Sequence, residues 1–152
     1  METTRDFDYT KIKELIRASS QETSVYVGCD SLIKGGVTDF VLVIVVHYDT
    51  KHGAKIFHSH YKEKRRMPLR ERLWQEVYMS TAAAMEIVDD VGMRPLQIHL
   101  DLNKNEKHDS SLIVKEAISY VRASGFEVRV KDPYNPGQSF AASKAADHYV
   151  RS

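Results

Sequence analysis

The sequence predicts an α/β domain with a mixed five-stranded sheet, three strands antiparallel and two parallel, and helices on both faces. Two observations predict this fold class. Three runs rich in β-branched and aromatic residues come first and are separated by turn signals. Helical apolar periods then alternate with short apolar strands, and such crossover units require parallel pairing. At 152 residues the chain has the size of one domain, with a leading helix over 1–20 and a core over 21–152.

Each predicted element follows from the spacing of its apolar residues and from the residues at its two ends. Apolar residues at three- and four-residue steps predict the helices, and Pro68 and Gly92 fit the two ends of the longest one. Ser139 can cap the last helix. The predicted strands are Ser24–Asp30, Asp39–Tyr48, Lys55–Tyr61, Leu96–Leu102 and Phe126–Val130. The predicted helices are Tyr9–Ser19, Leu69–Val91, Ser111–Ala123 and Ser139–Val150.

Composition limits the class of protein. The net charge of +1 points to no partner by itself, and Cys29, the only cysteine, allows neither an internal disulfide nor a thiolate metal cluster within one chain. No apolar run approaches the roughly 20 residues of a membrane helix, and the first residues do not resemble a signal peptide. We therefore expect a cytoplasmic protein with no membrane partner.

Four carboxylates stand where this fold can gather them. Asp30 and Asp101 each end a predicted strand, and in open sheets function collects beyond the carboxyl ends of central parallel strands. Glu76 lies at the edge of the stripe that packs its helix on the sheet, and an acid directed inward requires a cation. Asp147 lies among alanines, whose small size lets the last helix approach the sheet closely.

Such a set of carboxylates indicates a site for divalent cations. Carboxylates gathered at one point repel one another unless cations compensate. Mg²⁺ or Mn²⁺ suits oxygen ligands, and Mg²⁺ is commonly held by one or two carboxylates together with phosphate oxygens. Two ions about 3.5 to 4 Å apart would activate a water and stabilise the leaving oxygen in phosphodiester cleavage. Asp30 and Asp101 would be direct ligands, with Asp30 between the ions. Glu76 and Asp147 would each complete one ion.

Positive charge is concentrated in one stretch, which we call the basic stretch: Lys62, Lys64, Arg65, Arg66, Arg70 and Arg72. A solvated surface is the ordinary role of such a run. This one leads into the helix that bears Glu76, and arginine suits bidentate phosphate contacts, so its first four residues are candidates for nucleic-acid binding. Further candidates are Tyr61, Trp74 and Tyr134 for base stacking, although Trp74 can equally pack in the core. Ser31 and Asn103 are candidates for contacts to a ribose 2′-hydroxyl.

The histidines permit a zinc hypothesis that the sequence does not favour. His58 and His60 share one face of a strand, but zinc requires three or four converging ligands and this spacing supplies two. His99 shares a face with Asp101 if its strand is regular, which makes it a candidate hydrogen-bond partner beside the site. His148, next to Asp147, is a candidate proton shuttle.

Five motifs occur in a fixed order: VYVGCDS (25–31), RLWQEVYMS (72–80), IHLDLN (98–103), GFEVRVK (125–131) and SFAASKAAD (139–147). Together they resemble the YkuK family of predicted nucleases within the ribonuclease H-like superfamily, from about Tyr9 to Asp147. The resemblance implies a ribonuclease H-like fold. It also implies that the superfamily's D-E-D-D metal site is formed here by Asp30, Glu76, Asp101 and Asp147.

We therefore expect a nuclease that hydrolyses phosphodiester bonds in RNA, RNA–DNA hybrid or structured DNA with two Mg²⁺ or Mn²⁺ ions. The alternative is a non-catalytic nucleic-acid-binding module with the same fold. Loss of Asp30 and Asp101 separates the two, because a binding module would keep its affinity. A third, weaker hypothesis is an interaction protein without affinity for polyanions, whose behaviour would be insensitive to salt.

Overall fold

The computed structural model of the protein describes residues 1–49, 53–101, 110–130 and 141–151, and these form a sheet of six strands, not the five expected. The strand order across the sheet is β1-β4-β3-β2-β5-β6. Strands β1, β4, β3 and β2 pair antiparallel, whereas β5 runs parallel to β2 and β6 parallel to β5. The elements are β1 (Glu2–Arg5), α1 (Tyr9–Ala18), β2 (Ser24–Lys34), β3 (Val37–His47), β4 (Ala54–Glu63), α2 (Leu69–Val91), β5 (Leu96–Leu100), α3 (Ser110–Ala123), β6 (Glu127–Val130) and α4 (Ala141–Arg151).

The additional strand is β1, and no sequence pattern predicts it. All four of its residues are exposed, so it has no alternation of apolar and polar positions. It forms because the edge of β4 offers backbone partners, with Arg5 opposite His60. The Ser59 hydroxyl donates to the carbonyl of Arg5 at 2.8 Å, and the Thr4 hydroxyl donates to the carbonyl of His60 at 3.3 Å. The strand therefore depends on tertiary pairing.

The two faces of the sheet are buried beneath different helices. On one face α1, α2 and α3 cover the larger core, whose members include Val25, Val27 and Ile98. On the other face α4 covers a smaller cluster. Because successive strand residues point to opposite faces, each strand contributes to both layers. The smaller cluster contains Val41, Val43, Val45, Ala142, Ala146 and Val150.

The long hairpin of β2 and β3 corrects one expectation. Its register runs from Ser24 opposite His47 to Lys34 opposite Val37, and the turn is Gly35–Gly36 with φ of 56° and 79°. Two positive φ values are typical of a two-residue hairpin turn that favours glycine. Because pairing with β3 continues to this turn, β2 extends past Asp30. The prediction that Asp30 ends a strand is therefore wrong.

The helices form where the spacing of apolar residues predicts them. Helix α2 has the predicted bounds and ends at Gly92, whose φ is 60°. The predicted cap of the last helix, Ser139, lies outside the described residues, as does Leu102, the predicted end of the fourth strand. None of the helices in the described parts of the chain is long and apolar enough to cross a membrane.

Candidate active site

Asp30 and Asp101 lie on neighbouring strands at the same level of the sheet. Strands β2 and β5 are parallel, and their register pairs Gly28 with His99. Two residues further along, Asp30 lies within β2, and Asp101 directly follows Leu100 at the end of β5. The register therefore brings the two aspartates together at the point where β5 ends.

Glu76 reaches this level of β2 from the face that α2 covers. It is 2 % exposed, and its Oε2 accepts a hydrogen bond from the Ser31 hydroxyl at 2.5 Å. The backbone N–H of Ser31 in turn donates to Asp30 Oδ1 at 2.9 Å. Since Asp30 and Ser31 point to opposite faces, this pair of residues links the two sides of the sheet. Glu76 thus points inward, as the apolar stripe predicts, while its role as a metal ligand stays a prediction.

Asp147 belongs to α4, on the opposite face from Glu76. Its Oδ1 accepts a hydrogen bond from Nε of Arg151, one turn later, at 2.7 Å. This bond raises the pKa of Arg151, and the negative charge of Asp30 adds to the effect. Asp30 therefore lies close enough to the Asp147–Arg151 pair to interact with it electrostatically.

Asp30 and Asp101 lie at one end of the β2–β5 pair, while Glu76 and Asp147 lie on helices that cover opposite faces of the sheet. Within the ranges that the structure describes, no three His, Cys, Asp or Glu side chains are grouped so that they could hold a metal ion. The predicted donors are nevertheless all carboxylate oxygens, which suit Mg²⁺ and Mn²⁺. The chemistry of the donor set therefore fits divalent ions, and the assignment of the four ligands stays a prediction.

The basic stretch is partly neutralised. Three of its cations pair with surface carboxylates, and exposed pairs of this kind contribute roughly 0 to 1 kcal/mol each. The pairs are Lys64–Glu2 at 3.8 Å, Arg65–Glu71, and Arg70–Glu116 at 3.7 Å. Lys62 differs from these residues. It lies opposite Asp39 in the sheet, on the face that also bears Asp30.

A cavity of about 240 Å³ opens beside Lys62 on the face that α4 covers. Lys34, Asp39, His60 and Tyr149 also line it. Asp39 Oδ1 is buried, with no hydrogen-bond partner among the described residues. Lys34 and Asp39 are absent from the sequence prediction. The period of two along β2, which carries Asp30 through Leu32 to Lys34, is the signal that identifies Lys34.

His58 and His60 contact each other on this face. Nδ1 of His58 lies 2.7 Å from Nε2 of His60, and the His58 ring stacks on Tyr149 of α4 with centroids 4.0 Å apart. Burial lowers the pKa of both histidines, and the positive charge of Arg5 adds to this effect. Both rings are therefore neutral near pH 7.

The other predicted candidates are distributed around the site. His148 is exposed and lies edge-on to Tyr149. Trp74 packs against two neighbouring tyrosines of α2 and α3, so it is a boundary residue, and Tyr61 packs against the larger core. Asn103 and Tyr134 lie outside the described residues. His99 is buried between the sheet and α4, where its ring stacks on Tyr26.

The mixed sheet, with α1, α2 and α3 on one face and α4 on the other, places the protein in the class of α/β proteins with a ribonuclease H-like fold. The chain belongs to the ribonuclease H-like family, whose model matches residues 9–151. Membership of the narrower YkuK family stays a prediction. No protein among the curated ones matches this chain.

Three solved structures resemble the chain at low sequence identity. RNase H1 from the halophilic archaeon Halobacterium salinarum NRC-1 is 12 % identical, with 83 % of this chain and 98 % of that chain covered and a TM-score of 0.40. LC11-RNase H1, solved in complex with RNA/DNA hybrid, is 8 % identical, with 86 % and 99 % covered and a TM-score of 0.40. The protease-reverse transcriptase of prototype foamy virus is 10 % identical, with a TM-score of 0.42. The match covers 86 % of this chain, which spans only 20 % of that protein.

Proposed function

We propose that this protein is a metal-dependent nuclease that hydrolyses phosphodiester bonds in RNA, RNA–DNA hybrid or structured DNA. The observation that carries the proposal is the register of β2 and β5, which brings Asp30 and Asp101 together where β5 ends. Glu76 is buried next to β2 on one face, and Asp147 lies on the helix that covers the other. Membership of the ribonuclease H-like family supports the same conclusion.

Asp30, Glu76, Asp101 and Asp147 would hold two Mg²⁺ or Mn²⁺ ions in this proposal. When bound, such ions supply the charge that activates the attacking water and stabilises the leaving oxygen in two-metal nucleases. The protein itself provides orientation. Ser31 orients the Glu76 carboxylate through its hydroxyl, and Arg151 orients Asp147 through its Nε–H.

The substrate backbone would lie along the face of the sheet that bears Asp30. Lys62 and Lys34 line the cavity on this face, and a lysine ammonium binds phosphate as a point charge. Lys64, Arg65 and Arg66 follow β4 in the connection to α2. Their contribution is expected to be smaller where a carboxylate partner already neutralises them.

The test is cleavage of labelled RNA, RNA–DNA hybrid, single- and double-stranded DNA and branched DNA with Mg²⁺, Mn²⁺ or EDTA. Asp101→Asn should abolish metal-dependent cleavage. Asp89→Asn is the matched control, because Asp89 is exposed on α2, outside the proposed site. Cleavage by the wild type that survives Asp101→Asn would contradict the assignment of Asp101. A wild type that cuts nothing would contradict the nuclease itself.

The second candidate is a non-catalytic nucleic-acid-binding module. The ion pair of Asp147 with Arg151 favours it, since a metal ion would have to compete with the arginine for this carboxylate. Substitution of Asp30 and Asp101 by asparagine would then leave the affinity for nucleic acid unchanged, or would increase it by removing repulsion. A nuclease predicts that its metal-dependent affinity falls in the same variants.

The proposal also includes the narrower family, the number of domains and the location in the cell. The chain would be a member of the YkuK family, folded as one domain over residues 1–152, and would act in the cytoplasm. Cell fractionation with an antibody to the protein tests the location.

A further inference from the structure

His99 lies on β5 near the proposed ligands Asp30 and Asp101, and the proposed function gives it no role. It is 1 % exposed and precedes Asp101 by two residues, and its ring stacks on Tyr26 with centroids 4.7 Å apart. A buried polar ring requires hydrogen-bond partners, and its partners show what it does.

The hydrogen bonds of His99 determine which ring nitrogen holds the proton. The backbone N–H of Ala142 points to Nδ1 at 3.4 Å, a long and therefore weak hydrogen bond. A backbone N–H can only donate, so Nδ1 presents its lone pair and the proton is on Nε2. Nε2 then donates to Gln97 Oε1 at 3.3 Å, and the Gln97 amide nitrogen donates to Glu127 Oε1 at 2.9 Å. The Glu127 carboxylate thus orients the amide, and the amide fixes the tautomer.

The Nδ1 lone pair of His99 accepts a hydrogen bond from the first turn of α4. The first backbone N–H groups of an α-helix have no acceptor within the helix. The side chain of the residue that precedes the helix usually supplies an acceptor. Here α4 begins at Ala141, and a ring from β5 accepts the N–H of Ala142. His99 therefore fastens the start of α4 to the strand that leads to Asp101.

The other contacts of α4 with the sheet are packing contacts, made mainly with β2 and β3. Ala142 and Ala146 are fully buried against the sheet, and Val150 packs near the end of the helix. The stack of Tyr149 on His58 lies near that end as well. Near the start of α4, the hydrogen bond from Ala142 to His99 is a directional contact with the sheet.

We infer that His99 is a positioning residue that holds α4, and with it Asp147, in register with Asp101. The effect on catalysis rests on the proposed function, whereas the docking of α4 can be measured without it. His99 acts through the backbone of Ala142, so its role differs from that of the four carboxylates.

Two substitutions separate docking from ordinary packing. The amide oxygen of asparagine is bonded to the γ carbon, as Nδ1 is in histidine, so His99→Asn keeps an acceptor for Ala142. The amide atoms of glutamine lie one bond further out, where Nε2 lies, so His99→Gln keeps a partner for Gln97 and loses the acceptor. Both substitutions remove the ring from Tyr26, so the loss of stacking is common to them.

Amide hydrogen exchange at Ala142 is the first measurement. Exchange in His99→Gln should be about fivefold to tenfold faster than in His99→Asn, because one buried hydrogen bond is lost. In cleavage, kcat of His99→Gln should fall about tenfold below that of His99→Asn and half-saturation should require more Mg²⁺, while KM for nucleic acid changes by less than about twofold.

Equal exchange and equal kcat in the two variants would overturn the inference, because the effect would then be packing alone. A wild type that does not cleave would overturn the proposed function instead. The difference in exchange would still decide whether His99 docks α4.

Discussion

Replacing Glu76 by glutamine is expected to stabilise the protein in the absence of divalent ions. Glu76 is 2 % exposed, and its Oε2 accepts the hydrogen bond from Ser31. Taking a carboxylate out of water costs several kcal/mol in real proteins, and a hydrogen bond to a charged group returns about 1.5 to 3 kcal/mol. Glutamine keeps an acceptor oxygen and has no charge. A carboxylate kept for a cation should therefore destabilise the metal-free fold.

The expected gain is about 1 to 3 kcal/mol, the part of the desolvation cost that the contacts of the carboxylate do not compensate. In a chain of 152 residues, 1 kcal/mol shifts Tm by about 2 to 4 °C. Glu76→Gln should therefore unfold about 2 to 12 °C above the wild type in EDTA.

Thermal unfolding followed by circular dichroism, in EDTA and in Mg²⁺, measures this difference. Glu86→Gln is the matched control, since Glu86 is exposed on the same helix and pairs with Lys13 at 2.9 Å, so its loss should change stability by no more than about 0.5 kcal/mol. Mg²⁺ should raise Tm of the wild type and have little effect on Glu76→Gln. A Glu76→Gln protein that is less stable than the wild type in EDTA would refute the reasoning. Glu76 would then be a structural partner of Ser31.

Three further predictions concern charges elsewhere in the fold. Arg151→Gln should free Asp147 from its ion pair and lower the Mg²⁺ concentration needed for half-maximal cleavage, and an unchanged concentration would contradict this role of the pair. Lys62→Gln should reduce the slope of log affinity for nucleic acid against log salt concentration by about 0.7 to 0.9. Arg65→Gln should reduce it by less, because a carboxylate already pairs with Arg65. Equal slopes for the two variants in a filter-binding titration would contradict this prediction. Burial raises the pKa of Tyr9 above its ordinary value of 10, so above pH 10 the unfolded chain loses this proton first and stability should fall as pH rises. Tyr9→Phe should flatten that fall in urea titrations, and an identical alkaline slope would exclude Tyr9 as its source.

The fold could be predicted where the pattern of apolar and polar side chains reflects which residues are buried. Helix α2 has the predicted bounds, because its apolar steps and Gly92 both depend on local sequence. Strand β1 could not be predicted, because its residues are exposed and its partners lie on β4. The end of the first predicted strand at Asp30 is wrong for a related reason. Pairing with β3 extends β2 beyond the apolar run that the sequence displays.

The candidate site could be predicted in part. Spacing and order predict the four carboxylates, whose role as ligands stays a prediction, and the parallel register of β2 and β5 places Asp30 and Asp101 on neighbouring strands as expected. The sequence could not show that Glu76 and Asp147 approach from opposite faces, because this depends on which helix covers which side. It also could not show that Arg151 pairs with Asp147.

The four residues of β1 also affect how the protein behaves among other proteins. Without β1, the unpaired N–H and C=O groups of β4, a strand of ten residues, would be a template for strands of other molecules. β1 covers this edge at His60, Tyr61 and Lys62, and presents a short strand that includes Glu2 and Arg5. Short, charged edges resist the addition of another strand. A segment that contributes nothing to the core thus protects the sheet from aggregation.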